Sequence, residues 1–161
     1  MLKADGSEFA RMVNRIVVRD DGMEMRLEWK AEVTPLMDGF QFGDQEEMGF
    51  GVRVASGLAE RSGGVIRSSG GKESAAETWG QEAEWCEYSG VVNGVRAGVR
   101  VVPDPDNFRA SWWHNRDYGL MVANPFGRAA MKRGERSVVA VKKGETFRLG
   151  VSMVFSAGAE P

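Results

Sequence analysis

The chain has 161 residues, 42% of them hydrophobic and 27% charged, and a formal net charge of -2 at pH 7. One domain over residues 1–161 is expected, and scattered basic residues exclude a nucleic-acid footprint. No apolar run approaches the ~20 residues that cross a bilayer, and Met1-Leu2-Lys3-Ala4-Asp5-Gly6 lacks the apolar core of a signal peptide. No membrane partner is therefore expected, and the cytoplasm is the default compartment. Cys86 is the only cysteine, so no internal disulfide can form.

Residues 10–19, with Val13, Ile16, Val17 and Val18, read as a strand. Asp20-Asp21-Gly22 carries the signature of a tight hairpin turn. Next, Met23, Met25, Leu27, Trp29, Ala31 and Val33 alternate with Glu24, Arg26, Glu28, Lys30 and Glu32. A period of two predicts one long strand with one apolar and one charged face, antiparallel to the first. Thr34-Pro35 ends it, and a loop runs to Glu46-Glu47. Gly49–Ala55 reads as a strand with Phe50, Val52 and Val54 on one face and Arg53 on the other. A short strand at Val65-Ile66 lies between glycine-rich turns, and a helical turn is expected around Ser74–Glu77. Trp79–Tyr88 reads as a strand with weaker alternation. Asn93-Gly94 is the strongest hairpin signal, between Ser89–Val92 and Val95–Val102. An Arg/Lys/Gly-rich loop at 127–136, a strand at Ser137–Val141 and a last alternating strand at Phe147–Phe155 complete the chain, with a frayed tail from Ser156. Many short strands, hairpin turns and little helix predict an all-β, antiparallel β-sandwich.

One stretch, Ser111–Gly127, concentrates hydrogen-bonding and aromatic groups: Trp112, Trp113, His114, Arg116, Asp117, Tyr118 and Asn124, with the only histidine of the chain. Polar tips on flat apolar rings suit a pocket for a polar small molecule. On a strand Trp112 and Trp113 face opposite ways, one into the core and one free to stack on a ligand ring. His114 is a candidate general acid or base, or a histidine fixed by a backbone carbonyl. Arg116 and Asp117 are candidates to clamp hydroxyls or a carboxylate, or else form a surface ion pair. Asn124, ahead of Pro125, either caps a turn or binds ligand. Arg53 either reaches a pocket or is solvated. Glu46 and Glu47 read as a charged loop, with an acid/base carboxylate as the alternative. Ser68–Glu73 is no phosphate loop, because Ile66 and Glu73 replace the required glycine and hydroxyl residue. No zinc spacing exists, and no metal or cofactor is expected.

The run Trp113-His114-Asn115-Arg116-Asp117-Tyr118-Gly119-Leu120, with Ala123-Asn124-Pro125-Phe126-Gly127, resembles a signature of the bacterial β-rich family labelled methane oxygenase PmoA. Gly49–Ala55, Trp79-Gly80, Trp85, Tyr88-Ser89-Gly90, Gly98-Val99 and Asp104-Pro105 match it in the same order. The resemblance implies that this chain corresponds to the C-terminal half of a longer architecture. It also implies a fold like half of a galactose-mutarotase-like supersandwich, and a carbohydrate ligand. Three functions follow as expectations. The first is a carbohydrate-active or carbohydrate-binding protein in which His114, Arg116 and Asp117 act while Trp112, Trp113, Tyr118, Asn124 and Arg53 bind. The second is a non-catalytic ligand- or protein-binding sandwich. The third is the oxygenase of the label, although a multi-histidine iron or copper site needs more than His114 alone. Self-association through exposed sheet edges is also expected.

Overall fold

The structure is a computed structural model that describes residues 1–22 and 24–158. Met23, the first member of the alternating run, and residues 159–161 of the tail lie outside the described residues. The expected first hairpin forms between β1 (Ala10–Asp20) and β2 (Glu24–Pro35), paired antiparallel with Ile16 opposite Trp29. Two-residue β3 (Gln41–Phe42) and β4 (Phe50–Arg53) follow. Next come two 3-10 turns (Ser56–Leu58 and Glu60–Ser62), β5 (Val65–Ser68) and a five-residue helix α1 (Ser74–Thr78). The Asn93-Gly94 turn joins β6 (Cys86–Val92) to β7 (Val95–Pro103). A third hairpin joins β8 (Trp112–Asn115) to β9 (Leu120–Asn124), then β10 (Val139–Ala140) and β11 (Phe147–Ala157) close the chain.

The fold is an antiparallel sandwich. Its large sheet has the order β1-β2-β11-β7-β6-β5, and its small sheet has the order β4-β9-β8. The register lines up one apolar face across the large sheet: Trp29 and Val151, then Met153 and Val101, then Val99 and Tyr88. The small sheet sends in Trp113, Ala123 and Met121, and Trp29 meets Phe50 across the layers with ring centroids 5.1 Å apart. Trp113, Tyr88, Ile66 and Val101 are fully buried there. A second apolar cluster sits where β3, β10 and the start of β11 meet. In it Phe42, Phe108, Phe126 and Phe147 pack with centroids 4.7 to 5.9 Å apart.

Four sequence expectations are corrected. The tail expected to fray from Ser156 stays paired through Ala157, held by β7. Residues 79–85 are not a strand; pairing begins at Cys86. Gly80, with φ +64°, turns the chain so that its N–H donates to the Trp113 carbonyl at 2.7 Å, and Glu82 forms a single bridge with Trp112. That segment follows the edge of β8 instead of joining the large sheet. The strand expected at Ser137–Val141 shortens to Val139–Ala140, because its partner in the 34–46 loop, β3, is only two residues long. The strand expected at Gly49–Ala55 shortens to Phe50–Arg53, since Gly49 has φ +118° and a Cβ there would meet the Ala123 carbonyl at 2.3 Å.

Candidate functional site

Alternation along β8 sorts its side chains. Trp113 and Asn115 face the core, and Trp112 and His114 face outward. His114 is nevertheless fully buried. Its cover is the loop 43–49, which crosses the outer face of the small sheet, together with Arg116 from the β8–β9 turn.

Asn124 fixes that loop. Its Nδ2 donates to the carbonyls of Gln45 and Glu46, and its Oδ1 accepts from the N–H groups of Phe126 and Gly127, all four at 2.8 Å. Gly127 is needed beside it, since a Cβ would lie 2.2 Å from the Gln45 carbonyl oxygen. Phe126 plugs the aromatic cluster. The Asn-Pro-Phe-Gly motif is thus a clasp for the 43–49 loop. Asp44 adds a second clasp, accepting from the backbone of Ala129, Ala130 and Ser137 at 2.9, 2.9 and 2.7 Å. Its partial burial raises its pKa, but these three donors and nearby Arg136 outweigh that, and it ends below the usual carboxylate value.

The clasps deliver Glu46 to His114. Oε1 of Glu46 accepts from Arg116 Nη2 at 2.7 Å and from Trp79 Nε1 at 2.9 Å, and lies 3.1 Å from His114 Nδ1. The imidazole N–H direction misses that oxygen, so the last contact is close but is not a formed hydrogen bond. On the other side of the ring, Arg116 Nε donates to His114 Nε2 at 3.1 Å. An arginine N–H can only donate, so Nε2 is a bare acceptor and the ring proton sits on Nδ1. Burial, and after it the Arg116 charge, push the His114 pKa below 6.5 against the opposing pull of Glu46 and Glu47. The ring is neutral at pH 7. Glu47 Oε1 stands 3.6 Å from Nε2, an approach with no proton between them. The β8–β9 turn is itself anchored from the core, where the Tyr88 hydroxyl reaches the Arg116 and Leu120 carbonyls at 2.7 and 3.0 Å.

A cleft of about 560 Å³ opens beside this cluster, lined by Glu60, Arg61, Trp79, Asn115, Arg116 and Asp117 over the small side chains of α1. Asn115 is buried at its base. Its Nδ2 donates to Thr78 Oγ1 at 2.9 Å, while its Oδ1 is buried with no partner. Among the described residues no group of three or more His, Cys, Asp and Glu is placed to hold a metal ion.

The structure therefore joins His114 and Arg116 to Glu46 and Glu47, and places Asp117 on the neighbouring cleft wall. It keeps the remaining candidates apart. Trp113 is fully buried in the core, its indole N–H on the Ala83 carbonyl at 2.9 Å, so it offers no ring to a ligand. Trp112 lies on the outer face with Arg128 stacked 4.4 Å above its ring. Arg53 is exposed and stacks 4.6 Å over Tyr118, outside the His114 cluster. Asn124 is a clasp, spent on backbone. Sequence reading named neither Trp79 nor Glu60, Arg61 and Asn115 as site residues. Of these, only Trp79 and Asn115 carried a signal, both as part of the family match.

A family model matches residues 2–160, almost the whole chain. The chain belongs to DUF6807, a family of unknown function. No curated protein and no solved structure matches it. The DUF6807 match takes in both the loop that carries Glu46 and the hairpin that carries His114 and Arg116. No helix of the described residues is long and apolar enough to cross a membrane.

Proposed function

We propose that this protein binds a small polyhydroxylated ligand, a sugar or sugar derivative, in the cleft beside His114, and that Glu46 carries acid/base chemistry on it. The observation behind this reading is the convergence of His114, Arg116, Glu46 and Trp79 from three separate segments on one carboxylate oxygen. Because those contacts all use Oε1, Oε2 is the oxygen left to take or return a ligand proton. The neutral His114 and the Arg116 guanidinium flank that carboxylate and steady the charge that changes there. Trp79 offers an apolar ring edge. Arg61 and Asp117 supply an exposed donor and an exposed acceptor for vicinal hydroxyls. The sequence resemblance to a family with an implied carbohydrate ligand points the same way.

The oxygenase reading needs a metal, and the donor set does not fit one: a single histidine and no suitable cluster among the described residues. A second reading, binding without chemistry, is favoured by the complete burial of His114 and by Arg116 covering its Nε2. A monosaccharide and glycan panel followed by calorimetry and by NMR of the sugar separates the two. Binding with conversion that is lost in Glu46→Gln supports the acid/base reading. Binding with no conversion assigns a binding module. No binding to any member of the panel, in a chain shown to be folded, removes both.

A further inference from the structure

We propose that β1 is a docking edge for an extended, acidic strand of a partner protein. β1 is the outermost strand of the large sheet, and among the described residues nothing pairs with its free side from Arg11 to Asp20. Its inner face continues the core. Met12 stands opposite Val33, Ile16 opposite Trp29 and Val18 opposite Leu27. Ala31 and Val33 are buried, but the small sheet does not reach the outer strand, and Met12, Ile16 and Val18 are 42%, 59% and 57% exposed. A long strand with a free edge and an uncovered apolar face is a template for strand addition, where main-chain hydrogen bonds supply affinity and side chains supply choice.

The outer face states the chemistry of the partner. On β1 and β2 it carries Arg11, Arg15, Arg19, Arg26 and Lys30, with Val13 and Val17 between the arginines of β1, against three carboxylates, Glu24, Glu28 and Glu32. The register sets Arg15 directly opposite Lys30 and Arg19 directly opposite Arg26, an arrangement that costs stability in a sheet. Glu28 lies 3.3 Å from Arg19 and Asp104 lies 3.7 Å from Lys30. Arg11, Arg15 and Arg26 have no carboxylate partner among the described residues. This surplus of positive charge stands on a chain whose net charge is -2. A strand with carboxylates opposite Arg11, Arg15 and Arg19, and branched apolar residues opposite Met12, Ile16 and Val18, satisfies both faces at once. A second copy does not, because edge-to-edge pairing across a two-fold axis sets these arginines opposite or diagonal to their own copies in every register.

The test titrates the 15N-labelled protein with two nonapeptides, one alternating isoleucine with glutamate and one alternating isoleucine with lysine. The acidic peptide is expected to shift the amides of residues 11–20, slow their exchange, and bind on the order of tenfold more tightly than the basic one at low salt. Arg15→Glu with Arg19→Glu, both exposed positions, should reverse that preference while the rest of the spectrum stays in place. Equal binding of both peptides, or perturbation that leaves β1 untouched, overturns the proposal. So does a concentration-dependent dimer that protects the β1 amides without peptide, which assigns the edge to a second copy.

Discussion

Replacing Asn124 by alanine removes four hydrogen bonds of 2.8 Å at a site that is 1% exposed. The N–H groups of Phe126 and Gly127 are buried and would be left unsatisfied, at about 1–3 kcal/mol each. The carbonyls of Gln45 and Glu46 are only part-buried and can recover water, so each costs about 0.5–1 kcal/mol. Asn124→Ala should therefore destabilise the fold by about 3–8 kcal/mol, read as a fall in urea midpoint at unchanged slope. Asn124→Asp keeps both acceptors but sets a carboxylate against two carbonyl oxygens, and should be no more stable than the alanine variant at pH 7. The clasp also holds Glu46 against His114, so surviving folded Asn124→Ala should show a changed His114 resonance. A loss below about 1 kcal/mol, with an unchanged histidine signal, would refute the idea that this side chain sets the 43–49 loop.

Gly127→Ala should destabilise by about 2 kcal/mol or more, as overpacking does, because its Cβ would meet backbone at 2.2 Å; thermal melts report it. Trp113→Ala should cost about 3–5 kcal/mol as a core truncation, whereas Trp112→Ala, half-buried under Arg128, should cost far less; equal losses in urea would contradict the opposed faces of β8. The His114 pKa is lowered in the folded state, so between that value and about 6.5 the unfolded chain binds the extra proton. That contribution to stability is full above about pH 6.5 and is lost as pH falls toward the folded value. His114→Gln should remove that slope from a plot of melting temperature against pH.

The β1–β2 and β6–β7 hairpins were legible from their Asp-Gly and Asn-Gly turns, and the faces of the long strands from a strict period of two, whereas the β8–β9 hairpin carries neither signal. Met25 to Val33, and Phe147 to Phe155, fall on the core side as their alternation requires. The His114 cluster was only half legible. His114 and Arg116 sit two residues apart and stand out by composition, but Glu46 is seventy positions away in a loop with no pattern, and only the Asn124 clasp carries it there. That clasp is made of side-chain bonds to backbone, which leave no periodicity to read. Strand expectations failed where pairing was too short to imprint one, at Gln41–Phe42 and Val139–Ala140, and where Trp79–Trp85 borrowed the look of a strand while lying along the edge of β8.

His114 is the only histidine, so selective 15N-histidine labelling gives the spectrum of one imidazole, and a pH titration of it reads the centre of the site directly. The expected result is a neutral ring at pH 7 with the proton on Nδ1, Nε2 as a bare acceptor, and a midpoint below 6.5 that rises when Arg116 is replaced by methionine. A proton on Nε2, or a midpoint at or above 6.5 that ignores Arg116, would contradict it.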